Sequence, residues 1–87
     1  MSVRVHPRVH GHHPEIAAED AAAAFDSTLR KVERTDTDPV QTVGVGMDGH
    51  GRLLEYIAIE QDNGDWLIFH AMLATTKVMV ETGLRRR

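Results

Sequence analysis

The chain has 87 residues, no cysteine, a formal net charge of −3 and 41% hydrophobic residues. That length predicts one domain with a small core, which a homodimer or a partner protein would supplement. Without cysteine there is no disulfide framework and no thiolate metal site. No apolar run reaches a membrane span and no signal-peptide core opens the chain, so the expectation is a soluble, cytoplasmic protein.

The net charge hides a strong local bias. Residues 1–14 carry Arg4, Arg8 and four histidines with no acid, and the chain ends Arg85-Arg86-Arg87. Between Thr35 and Asp65 seven acids face Arg52 alone. Local patches, not the total, therefore decide what the surface attracts.

Val3 and Val5 alternate with Arg4 and His6, which predicts either a flexible terminus over 1–13 or a short edge strand stopped by Pro7. Pro14 suits a first helical turn, and Glu15, Glu19 and Asp20 would sit at the positive end of the helix dipole. The alanine-rich run that follows predicts a helix over 14–34, with Ile16, Ala17, Ala21, Ala24 and Phe25 as its apolar stripe. Arg30, Lys31 and Arg34 would close it at the negative end. Thr35-Asp36-Thr37-Asp38-Pro39 then breaks it.

Residues 40–72 read as a β-meander: Val40–Met47, Arg52–Gln61 and Trp66–Met72, joined by Asp48-Gly49-His50-Gly51 and Asp62-Asn63-Gly64-Asp65. The middle run is apolar at nearly every position, as in a strand covered on both faces. Gly44 and Gly46 leave one face of the first strand bare for close approach. In the third strand, simple alternation puts His70 on the face of Trp66 and Ile68. A short helix over 75–82 follows, with Thr75 as N-cap, Gly83 as C-cap and Leu84 packing back. The expected fold is α+β: a small antiparallel three- to four-stranded meander, one long N-terminal helix packed on it, and a short C-terminal helix.

This chain resembles the BrnT family of bacterial ribonuclease toxins, which have a RelE-like fold, over roughly Gly11 to Glu81. His13-Pro14-Glu15-Ile16-Ala17-Ala18-Glu19-Asp20-Ala21 is similar to that family's helix opening. Val43-Gly44-Val45-Gly46 with Gly51-Arg52-Leu53-Leu54-Glu55 resembles its meander, and His70-Ala71-Met72-Leu73-Ala74-Thr75 falls where it has Ser-Ala-Arg-x-Ala-Thr. Two family arginines are replaced by Leu67 and Met72, and the serine by His70. The resemblance implies a metal-independent endoribonuclease without cofactor, the toxin of a type II toxin–antitoxin module. It further implies a small DNA-binding antitoxin as partner, in a heterotetramer or beside a homodimer.

RNA cleavage without metal needs a base for the 2′-OH, cations for the phosphorane and an acid for the leaving oxygen. His70, Glu15 and His13 are the acid–base candidates. Arg52, Lys77, His12 and Thr75 are the candidates for substrate contact, with the helix mouth near the strand end that carries His70. A single site requires His70 to lie beside that mouth or beside Lys77. Against this stand plain readings: a core histidine at 70, a helix-entry turn at 12–15, a solvated Arg52. The cluster His6, His10, His12 and His13 could hold a metal ion, but has no regular ligand spacing. From a different class, the replaced arginines suggest a catalytically inactive RelE-like-fold domain that binds a partner protein.

Overall fold

The computed structural model describes residues 2–86. In chain order the elements are β1 (Val3–Val5), α1 (Arg8–His12), α2 (Ala18–Asp26), β2 (Thr28–Arg34), β3 (Gln41–Met47), β4 (Leu53–Glu60), β5 (Trp66–Leu73) and α3 (Thr76–Glu81). One five-stranded sheet has the order β1-β5-β4-β3-β2. β1 runs parallel to β5, and the remaining neighbours are antiparallel.

This corrects the expected architecture: the sheet is mixed rather than antiparallel, and there is no long N-terminal helix. The span 14–34 splits into a turn, the nine-residue α2 and the strand β2. Asp20 accepts a hydrogen bond from the Ala17 N–H (2.9 Å), which starts the helix at Ala18 instead of Pro14. At the other end Thr28 donates its hydroxyl to the Phe25 carbonyl (2.6 Å), supplying a partner that a continuing helix would have provided. Beyond it, the charged run to Arg34 pairs with β3 from Thr28↔Gly46 to Arg34↔Gln41. Ladder bonds override the modest helical preference of Arg, Lys and Glu.

At the terminus, Val3–Val5 joins the sheet, pinned by Ser2 O to Trp66 N–H (2.8 Å) and His6 N–H to Ile68 O (2.8 Å). Pro7 ends the strand, and α1 packs against the part of β5 that β1 does not reach.

β4 is covered on both faces. On one, Leu54, Tyr56, Ala58, Ile68 and Ala71 meet Val9, Ile16, Ala21 and Ala24. On the other, Val43 and Val45 meet Val78 of α3, with Leu53, Ile57 and Leu84 against them. Each fully buried Val, Leu or Ile contributes about 1.5–3 kcal/mol. The glycines of β3 set how closely the first layer packs. A Cβ on Gly46 would overlap the Ala24 carbonyl oxygen, and one on Gly44 would overlap the Tyr56 ring. On the second face, Arg34 makes a two-pronged ion pair with Glu81 (2.8 Å for both bonds), tying the end of β2 to α3.

Candidate functional site

The site begins with a bulge in β5. Ala58 pairs with Ile68 but Ile57 pairs with His70, so Phe69 is an extra, unpaired residue. Beyond it the alternation is inverted. His70 therefore leaves the face of Trp66 and Ile68, contrary to the expectation of a core histidine, and joins the face of Ile57 and Glu55.

There its Nε2 lies 2.9 Å from Oε2 of Glu55, a residue only 4% exposed. Oε1 of the same carboxylate accepts the Thr75 N–H (2.8 Å) and the Thr75 hydroxyl (2.6 Å). Burial pushes the Glu55 carboxyl up, but the hydrogen bonds from His70 and Thr75 outweigh burial and hold it below the usual carboxylate range. An ionised Glu55 can only accept, so Nε2 of His70 carries the proton. In the neutral ring that leaves Nδ1 of His70 with a lone pair.

Around His70 a narrow crevice is lined by Arg8, Val9, His12, His13, Phe69 and Ala71. Val9 is buried and anchors α1 on the core, which fixes the neighbouring Arg8, His12 and His13 over the β5 edge. The His13 and His70 rings stand edge to face, with centroids 6.2 Å apart. Nδ1 of His13 is 3.9 Å from Oε2 of Glu15, leaving the opposite ring nitrogen free. Both imidazole side chains are about a third exposed, at 29% and 30%. The structure thus brings His70, His13, Glu15 and His12 together.

Thr75 reaches this group only through Glu55. It is the N-cap of α3, accepting the Val78 N–H (3.3 Å), and so supports the site from behind. Lys77 is exposed on α3 and lowers the carboxyl of Glu81 through its charge, after the larger effect of the Arg34 hydrogen bond. No contact joins Lys77 to the crevice among the described residues.

Arg52 is employed elsewhere. It donates Nε to Asp48 (2.7 Å), Nη2 to Asp20 (3.1 Å) and Nη1 to the Glu15 carbonyl (3.0 Å). With Gly51 in the left-handed region (φ 78°), this fork locks the turn between β3 and β4 against the start of α2. Nor does a phosphate site open at the helix start, because Asp20 already fills the Ala17 amide there.

The N-terminal histidines do not converge. His6 accepts the Arg8 N–H (3.0 Å) and His10 bonds the Ile16 carbonyl (2.9 Å). No group of three or more His, Cys, Asp or Glu is arranged to hold a metal ion among the described residues.

Two functional residues escaped the sequence reading. Glu55 did leave a signal: it is the one charged side chain inside the apolar run Leu53–Ile59. Arg8 left none, because α1 was not anticipated. Among the described residues, no helix is long and apolar enough to cross a membrane. No protein-family model, curated protein or solved structure matches the chain.

Proposed function

We propose that the chain is a metal-independent endoribonuclease whose acid–base pair is His70 and His13. The observation that carries this reading is the His70–Glu55 bond, which fixes the imidazole tautomer and leaves Nδ1 as a base at the rim of a crevice. In the proposed reaction Nδ1 of His70 takes the proton of a ribose 2′-OH. The 2′-oxygen attacks phosphorus and the P–O5′ bond breaks. Protonated His13 gives its proton to the departing 5′-oxygen, so the products are a 2′,3′-cyclic phosphate and a 5′-hydroxyl. Arg8 supplies positive charge for the phosphorane, the part the sequence had assigned to Arg52 and Lys77. The separation of the two rings keeps them from bonding each other and lets each address a different oxygen of one phosphodiester.

Together with the BrnT-like segments, this chemistry suits a toxin of a type II module that cleaves mRNA in the cytoplasm and is held by a small DNA-binding antitoxin. Such a toxin arrests growth when expressed alone, and His70→Ala relieves the arrest while the protein accumulates folded. Growth without arrest and with intact RNA would contradict the proposal. The occupied Arg52 and the two replaced arginines favour a second reading, a non-catalytic module that binds a partner protein. A partner retained equally by wild type and by His70→Ala, with no RNA cleavage, would distinguish it.

A further inference from the structure

A sizeable hollow lies away from the histidine crevice, on the sheet face that α2 covers only in part. Its main chamber, about 510 Å³, is lined by Lys31, Glu33, Val40, Thr42, Glu60 and Trp66 among others. A contiguous chamber of about 210 Å³ shares Lys31, Thr42 and Trp66 and adds Phe25 and Tyr56. The strand register explains the grouping. Glu33 pairs with Thr42, Thr42 with Ala58, and Glu60 with Trp66, so β2 to β5 contribute side chains to one face. The floor is aromatic: Phe25 stacks obliquely on Tyr56 and on Trp66, with centroids 5.2 Å and 5.6 Å apart.

In the inner chamber the hydroxyls of Thr28 and Tyr56 bond each other (2.7 Å), but the charged groups of the cleft, Glu33, Glu60 and Lys31, have no ion-pair partner among the described residues. Thr42 is 94% buried (6% exposed) and lines both chambers, yet no hydrogen bond of its hydroxyl to the described residues accounts for that burial. No fully enclosed side-chain polar atom lacks a partner in the described residues, so this hydroxyl keeps its access to the cleft. Two carboxylates against one ammonium leave the cleft net negative. The adjoining loop, from which Pro39 and Val40 line the cleft, is braced by Thr37, whose hydroxyl accepts the Gln41 N–H (3.1 Å).

We infer that this cleft binds an organic cation, a guanidinium or alkylammonium group seated against Trp66 and between Glu33 and Glu60. An indole face attracts such cations, and flanking carboxylates give them bonded partners that water alone would otherwise supply. The Thr42 hydroxyl adds one more acceptor. An RNA phosphate does not suit a net-negative cleft, so this site is separate from the proposed nuclease centre.

The test uses the only tryptophan of the chain as reporter. Agmatine, an arginine-containing acetylated tetrapeptide and AMP are titrated separately into the full chain while Trp66 fluorescence is followed. The inference predicts a saturable change with agmatine or with the peptide and none with AMP. Tighter binding of agmatine identifies a free small-molecule cation as the ligand class, and tighter binding of the peptide identifies a basic side chain. Glu60→Gln should weaken binding by up to about fivefold, as expected for loss of one charge partner at an exposed position. Thr42→Val, which keeps the shape, should weaken it less. Two outcomes overturn the inference: no saturable response to either cation by protein with native circular dichroism, or equal affinity in the folded Glu33→Gln, Glu60→Gln double variant.

Discussion

The imidazole of His70 and the carboxylate of Glu55 meet at 2.9 Å across two strands, although simple alternation along β5 would have pointed them to opposite faces. The Phe69 bulge makes the meeting possible, and Thr75 holds the other carboxylate oxygen. Glu55 thus positions His70 without facing substrate itself. In Glu55→Gln, an amide turned to keep its oxygen on Thr75 presents its NH2 to Nε2 of His70. The ring must then carry its proton on Nδ1 and loses its basic nitrogen. RNA cleavage should fall by about 100-fold or more, the usual contribution of a general base. The pH–rate profile should change shape, which mere loosening of the fold would not cause.

Stability should decline in acid. The carboxyls of Glu55 and Glu81 are held below their ordinary range, the first against burial and mainly by His70 and Thr75, the second by Arg34. A group with a depressed folded pKa binds fewer protons folded than unfolded. Its stabilisation is complete above the unfolded value, about 4.3 for Glu, and is lost as pH falls through the folded one. Thermal midpoints should be flat from neutral pH to about pH 5 and then drop. Glu55→Gln should give a shallower acid drop, and an unchanged slope would refute the assignment.

Gly46 tests the close contact between α2 and the sheet. Its added methyl would meet backbone, the Ala24 carbonyl, which cannot rotate away. Gly46→Ala should cost about 1–3 kcal/mol or more in denaturant unfolding. Gly49→Ala meets open space and should stay within about 0.5 kcal/mol.

Arg52 should behave as a structural residue. Asp48 and Asp20 are 7% and 6% exposed, and Oδ2 of each accepts a hydrogen bond from its guanidinium. Arg52→Lys keeps the charge but loses the fork. It should lower the thermal midpoint, as expected when the two carboxylates lose a charged donor. Lys77→Ala, on an exposed position, should change stability by less than about 0.5 kcal/mol. Equal stability of the two variants would contradict the role given to Arg52.

What the sequence disclosed follows from which interactions are local. The meander strands were legible because their turns carry Gly51 and Gly64 and their cores are apolar runs. Thr75 and Leu84 likewise marked the ends of α3. β2 was not legible: Leu29-Arg30-Lys31-Val32-Glu33-Arg34 is chemically acceptable in a helix, and only pairing with a distant β3 makes it a strand. β1 was legible only as one of two alternatives, a short edge strand or a flexible terminus, because its parallel partner lies more than sixty residues away. At the site, His13, Glu15 and His70 were visible as residue types. Their meeting depended on a bulge and on α1, neither of which has a local signature. Arg52 illustrates the converse, because a free-looking arginine after a glycine turn proved to have three internal partners.

The most direct test of the central claim is cleavage of an end-labelled single-stranded RNA by purified chain in the presence of EDTA. The account predicts fragments ending in 2′,3′-cyclic phosphate from wild type, and loss of cleavage in His70→Ala and in His13→Ala, both with native circular dichroism. Intact RNA with folded wild type, or undiminished cleavage by His70→Ala, would contradict it.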